Sequence, residues 1–416
     1  MSAQFGGYGF PVTRLRHLLI GSPGRLFVST RGFTSGLALV LALYYTKLLG
    51  VDKRSILVFI MVSALILTVI LTSGISLTLR NRPTDSITSS DLVSFLFVVC
   101  VSGVLVGVFN TLLLTYYSGI RSDLTSAIYI ICFIYSFFAC VNLGFQDALV
   151  ARGNLKLAAF FDLITILVQG LSLLFFVYLD QTSLFMSVMI SFVFSYLLIS
   201  FATLSVFVQT ESINFHKLLT NAKQLIKSST NNQLFGIANG LADRIDRFLI
   251  ALIMPLSLLS KYALITSIIS FTRFFPEAYN RILLLKYHST ESGQKRTFGV
   301  TGLFLISCGV VGFVLSAQVF IEYIFGNEWV LPLEVAALFA VQEILRGYYQ
   351  SSAIKLVSLG GSSFISRISL LLILCAVTLM VLLIKQFGLI GAPISMILIY
   401  ILLIYLVFNK IKASTK

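Results

Sequence analysis

The apolar positions of this chain come in long runs separated by short polar or charged breaks. A hydrocarbon core about 30 Å thick takes roughly 20 apolar residues in helix. By that measure the runs predict spans near 33–50, 55–79, 92–117, 124–149, 155–179 and 183–208. A second set follows near 233–256, 259–285, 297–321, 333–356, 363–386 and 389–409. The first run is short for a span and reaches back toward Arg25. The fold class that follows is an all-α membrane protein of about 12 transmembrane helices in two six-helix lobes. The lobes are 1–208, with an N-terminal tail, and 233–416, joined by the polar and basic connector 209–232.

Composition agrees and narrows the class. Of 416 residues, 57% are hydrophobic and 11% charged, against about 45–50% and 25% in soluble domains. Lipid has to cover such a surface. A net charge of +14 raises the question of nucleic acid. The basic residues are scattered through short loops, however, with no basic domain and no aromatic-interleaved run, so no nucleic-acid partner is expected. Of the 30 Lys and Arg, 19 fall on the side of the two termini, six on the opposite side (Lys47, Lys53, Arg54, Arg121, Lys261 and Lys385) and five inside spans. Basic residues mark the cytoplasmic side. Both termini and the connector are therefore expected in the cytoplasm, and the acidic stretch Glu322 to Glu334 opposite.

Cys100, Cys132, Cys140, Cys308 and Cys375 all lie in apolar runs and form no ligand cluster with His17, His216 or His288. They read as small buried hydrophobes, and neither a metal nor a cofactor is expected. No compact apolar region with a cleavage site is found between Met1 and Gly32.

Six spans, a connector and six more suggest a duplicated lobe. A faint echo supports this: Thr34-Ser35-Gly36-Leu37, a helix and Lys53-Arg54-Ser55 resemble Ala238-Asn239-Gly240-Leu241, a helix and Leu259-Ser260-Lys261. Such repeats often build transporters around a midplane site, although Gly-rich helix packing explains so short an echo as well.

The candidate chemistry is the set of charges inside spans, each costing roughly 2.5–3.5 kcal/mol on insertion scales. The first half holds Asp162, with Asp147 near a span end. The second half holds Asp243, Arg244, Asp246 and Arg247, then Arg273, Glu277 and Arg281, then Glu343 and Arg346. Several opposite charges stand three or four apart, on one helical face, where a carboxylate partly neutralises an arginine. In the seventh span Asn239, Asp243, Asp246 and Arg247 would share a face, with Arg244 on its flank. Two readings follow. Arg244, Arg247, Arg273, Arg281 and Arg346 would line a cationic cavity for an anionic headgroup, since a planar guanidinium binds phosphate bidentately and keeps its charge when partly dehydrated. Alternatively these are internal ion pairs that fix helix register. Asp243, Asp246, Glu277, Glu343 and Asp162 are the ion-pair or coupling candidates. Five arginines against four acids in those three spans favour the cavity.

Four short motifs, in order along nearly the whole chain, resemble the O-antigen-type polysaccharide flippases of the multidrug/oligosaccharidyl-lipid/polysaccharide exporter superfamily. They are Lys47-Leu48-Leu49-Gly50-Val51-Asp52, Asp243-Arg244-Ile245-Asp246-Arg247-Phe248-Leu249-Ile250, Phe325-Gly326-Asn327-Glu328-Trp329 and Phe387-Gly388-Leu389-Ile390-Gly391-Ala392. Trp329 alone reads equally well as an interfacial anchor. Arg54-Ser55 departs from the pattern, standing where that family usually has a Gly-aromatic pair. The resemblance implies two lobes in a V that open alternately to either side. It also implies a substrate, an oligosaccharide on a polyprenyl diphosphate carrier, and as partners membrane lipids, a polysaccharide polymerase and a chain-length regulator. It implies a cell inner membrane and surface polysaccharide (lipopolysaccharide) synthesis, with no bond made or broken by the protein.

A cation-coupled drug antiporter of the same fold would want acidic cavity walls, and this set leans basic. A peptidoglycan-precursor flippase usually has two more spans. A membrane glycosyltransferase or polymerase would gather a general base and phosphate-binding groups in a sizeable external loop. The longest here, Glu322 to Leu333, has two carboxylates and no His or Arg. A scaffold or channel role is the remaining alternative, and a channel would show conductance without substrate saturation.

Overall fold

The computed structural model describes residues 23–80, 87–117, 125–179, 183–208, 215–242, 244–270, 300–358 and 361–414. Helix α1, Pro23–Arg80, is interrupted at Gly50, whose φ of 69° a side chain would oppose. Its two segments are the first two expected spans, and the first does reach back past Arg25. The next four spans are α2 (Ser89–Tyr116), α3 (Ser126–Ala151), α4 (Leu155–Leu179) and α5 (Leu184–Val208). The seventh is split into α6 (Phe215–Ala242) and α7 (Ile245–Ile253). Helix α8 (Leu256–Ser270) opens the eighth, whose remainder lies outside the described residues. Helices α9 (Val300–Phe325), α10 (Leu333–Ser358), α11 (Ser362–Phe387) and α12 (Gly391–Ser414) complete the set. Among the described residues there is no strand.

Two apolar stretches, Gly32–Arg80 of 49 residues and Ile373–Ala413 of 41, are each long enough for two crossings at about 1.5 Å per residue. Four others, in α2 to α5, suit one crossing each. The chain is a multi-pass membrane protein.

Burial shows which way the helices face. On α2 the residues Val101, Val104, Leu105, Val108, Phe109 and Leu112 are all exposed. Their spacing is that of one helical stripe, and lipid is the solvent that suits it. The polar residues turn inward instead. Asn110 is fully buried on the same helix. Its Oδ1 accepts from the Ser63 hydroxyl of α1, and its Nδ2 donates to Ile60 O at 3.1 Å and to Ser136 Oγ of α3 at 2.7 Å. One amide thus fastens three helices. Asn110→Leu is expected to cost about 1–2 kcal/mol, the range of hydrogen bonds between membrane helices. A fall in the thermal midpoint of the detergent-solubilised protein would register it; an unchanged midpoint would show that the contacts carry no net stability.

The helix pairings repeat between halves. Helix α1 packs on α4 as α6 packs on α11, α3 on α5 as α10 on α12, and α4 on α5 as α11 on α12. The helix pairings thus carry the duplication that the faint echo in the sequence suggested. The principal contacts between the halves all involve α1 and α2 on one side and α6, α7 and α8 on the other.

That seam is close at the end carrying the termini. Gln233 Oε1 accepts from Gly74 N at 2.8 Å, and its amide donates to Ile70 O. A Cβ on Gly74 would lie 2.4 Å from the Gln233 Cα, so only glycine admits this approach. Asn232 Nδ2 donates to Thr78 Oγ1 and Asn221 Nδ2 to Ser90 Oγ, both at 2.8 Å. From Phe215 on, the connector residues are thus helix, continuous with the seventh span and packed along α1 and α2.

Candidate functional site

The charged run of the seventh span sits where its helix breaks. Helix α6 ends at Ala242, Arg244 has non-helical backbone (φ −139°, ψ −14°), and α7 begins at Ile245. The expected polar face through Asn239, Asp243, Asp246 and Arg247 spans this break, with Asp246 and Arg247 beyond it in α7; Asp243 and the Asn239 side chain lie outside the described residues. Broken helices of this kind at mid-span bring polar backbone and charge into a membrane interior.

Asp246, in the first turn of α7, is buried. Its Oδ2 accepts from the Tyr262 hydroxyl of α8 at 2.8 Å, and its Oδ1 from the Arg247 backbone N–H at 2.8 Å. These bonds, and the positive end of α7, stabilise the carboxylate. Among the described residues no carboxylate pairs with the Arg247 guanidinium, and its Nε is buried with no acceptor. Arg244 Nη1 donates to Gly240 O, one turn back, at 3.4 Å.

Arg346 and Glu343 form a buried ion pair, Nη1 to Oε2 3.7 Å, on α10. Tyr349, one turn on from Arg346, meets Tyr400 of α12 at 6.1 Å between ring centres. That face of α10 is packed inside the second half of the molecule. Asp162, half-buried on α4, belongs to a helix whose principal neighbours are α1, α3 and α5, all in the first half. Asp147 pairs at 3.4 Å with Arg80 at the end of α1. Asp243, Arg273, Glu277 and Arg281 lie outside the described residues.

Sequence reasoning left Arg54 out of the site. It is 2% exposed, one of the largest fully buried side chains. It opens the second segment of α1 just after Gly50, and its guanidinium carbon lies 5.6 Å from the Trp329 ring centre. Trp329 itself is buried in the turn between α9 and α10, against Phe325 at 5.7 Å, and is no interfacial anchor. Tyr45 and Arg247 are both near enough to act electrostatically on Arg54, Arg247 repelling it. Nε and Nη1 of Arg54 are buried without an acceptor. Stacking on tryptophan returns about 0.5–2 kcal/mol, whereas burying an unpaired charge costs several kcal/mol. Trp329 alone does not offset the burial.

An aromatic wall adjoins the two arginines. Phe59 stacks on Tyr117 at 5.0 Å and on Phe248 at 6.4 Å, and the Tyr117 hydroxyl donates to Ala251 O. Residues of both halves therefore meet here, at the end of the seam opposite the termini. The signal that could have found Arg54 was its departure from the flippase pattern and its place on the base-poor side.

No family model matches the sequence, and no curated protein does. Solved structures do. The chain is similar to an inward-facing MATE-family multidrug resistance transporter of the MOP superfamily, with a TM-score of 0.66 and 14% identity over 97% of this chain and 98% of that one. A MATE protein in complex with MaL6 gives 0.55 and 13% over 96% and 98%. A MOP superfamily transporter from Pyrococcus furiosus gives 0.54 and 14% over 96% and 98%; its binding pocket is described as of reverse polarity, suggesting a different function. The class is thereby defined: this chain has the all-helical membrane fold of the MATE transporters, along its whole length.

Proposed function

We propose that this chain is a transporter, and that its substrate is an oligosaccharide on a polyprenyl diphosphate carrier. It takes that substrate from the cytoplasmic to the periplasmic leaflet of an inner membrane, both termini being cytoplasmic. The observation that carries this reading is the cationic character of the seam: Arg54 is buried with two nitrogens lacking an acceptor, Arg247 acts on it electrostatically, and among the described residues no carboxylate pairs with either. A cationic drug would be repelled there, while a diphosphate would gain two forked donors. The saccharide and diphosphate enter between the halves, the prenyl tail remains in lipid, and rocking of one half against the other exposes the headgroup to the far side. No bond is made or broken. A charge crossing 100 mV is worth about 2.3 kcal/mol, so two negative charges leaving an inside-negative cell gain about 4.6 kcal/mol. The potential is a sufficient drive.

A cation-coupled drug antiporter is the second reading, favoured by one feature: Asp246 is a buried carboxylate with a tyrosine partner, a plausible proton or cation site. Complementation separates the two. In a bacterium lacking its own saccharide flippase, the chain is expected to restore surface polysaccharide and to leave cationic-drug resistance unchanged. Resistance without polysaccharide, from a folded and membrane-inserted protein, would replace the flippase by the antiporter.

A further inference from the structure

Arg54 and Trp329 stand at the rim of the molecule, at the end opposite the termini, and both turn away from water. Asp52 and Lys53, just before Arg54, are exposed, as are Asn327 and Glu328, just before Trp329. Arg54 and Trp329 are instead buried against each other, guanidinium carbon to ring centre 5.6 Å, one from each half of the chain. At this end the halves also touch through Phe59 on Phe248 and through the Tyr117 hydroxyl, which donates to Ala251 O.

The charge is poorly provided for in this contact. Nε and Nη1 of Arg54 are buried without an acceptor. Among the described residues no carboxylate pairs with it, Glu328 beside Trp329 included. The face of a tryptophan ring returns less than full burial of an unpaired charge costs. We propose that Arg54 is a charged release for this end of the seam: while it lies against Trp329 the halves touch at the expense of its hydration, and recovering that hydration drives them apart. A neutral side chain of similar length would pack in the same place without that cost and keep the end shut. The device depends on where the charge sits and not on what is carried, so it holds for an anionic lipid carrier and for a cationic drug alike.

The reporter is Ala251→Cys in a chain with the five native cysteines replaced. Ala251 is 1% exposed, and its carbonyl takes part in the contact between halves, so a thiol there meets a bulky maleimide only when the halves part. The labelling rate of the purified full chain in detergent then follows the population open at this end. Arg54→Met is expected to slow labelling at least about tenfold and to raise the thermal midpoint. Arg54→Lys keeps the charge but loses the planar fork, and is expected to label at least as fast as its parent. Trp329→Leu removes the ring that partly offsets the burial, and is expected to label faster. Trp329 is the chain's only tryptophan, so quenching of its emission by acrylamide gives a second readout, expected to fall in Arg54→Met and not in Arg54→Lys.

Unchanged labelling and quenching in Arg54→Met would overturn the proposal. So would a lowered midpoint, the mark of an arginine that merely holds the fold together. Slowing shared by Arg54→Lys would do the same, because the charge would then not be the cause. A wild type that fails to restore surface polysaccharide, with labelling still slowed in Arg54→Met, would remove the saccharide carrier and leave the release standing.

Discussion

A disulfide between cysteines placed at positions 78 and 232 is expected to stop transport, and reduction to restore it. The native side chains there are within hydrogen-bond distance across the seam, Asn232 Nδ2 to Thr78 Oγ1 at 2.8 Å. The neighbouring contact of Gly74 with Gln233 leaves no space for even a methyl group. If the halves rock, this end of the seam must separate in each cycle to admit substrate. The separation breaks a handful of interhelical hydrogen bonds, each worth about 1–2 kcal/mol at most, which thermal motion and substrate binding can supply. A covalent bond they cannot. The measurement is surface polysaccharide in the complementation strain, in a background with Cys100, Cys132, Cys140, Cys308 and Cys375 replaced, with each single-cysteine chain as control. Transport undiminished in a fully crosslinked population would mean that α1 and α6 move as one body, and that the entry lies elsewhere.

Arg247→Gln carries the second large effect. Hydrogen bonds to a charged group contribute about 1.5–3 kcal/mol, so loss of the guanidinium fork is expected to lower transport by roughly tenfold to a hundredfold at matched protein level. Stability should hardly change, because Arg247 is half-buried and has no ion pair to break among the described residues. Arg346→Gln makes the informative contrast. It breaks the buried ion pair with Glu343, and breaking a buried pair costs about 3–5 kcal/mol. Its loss of transport is therefore expected to follow loss of folded protein. Equal protein levels with equal transport defects in the two variants would show that both arginines serve the substrate.

The membrane class, the twelve runs and most of their limits were legible in the linear sequence. The reason is elementary: a bilayer has fixed thickness and gives unpaired backbone no partner, so any chain that crosses it writes helices of a set length into its composition. Three of the four motifs that resembled the flippases turn out to mark glycines with positive φ, Gly50, Gly326 and Gly388, at helix junctions. Those residues are readable one by one because the local backbone demands them. Even the faint repeat pointed to a duplicated set of helix pairings.

Other features were not readable in the line. Helix α2 is apolar almost all round, so nothing in its own sequence says that Val101 and Phe109 face lipid while its neighbours face α3. The seventh span reads as one helix with a charged face, yet it breaks within the charged run, at Arg244. Arg346 and Glu343 could be read as cavity wall or internal pair, with the arginine surplus favouring the wall, and the packing around α10 puts them together and buries them. Arg54 and Trp329 are 275 positions apart and meet only because the first turn of one span and the turn after another share the same depth of the seam. What the sequence determined by itself is everything dictated by the solvent, a bilayer that each span meets alone. What only the tertiary structure decided is which charges lose that solvent together, because a pairing between distant spans depends on how the two halves dock and leaves no pattern in either one.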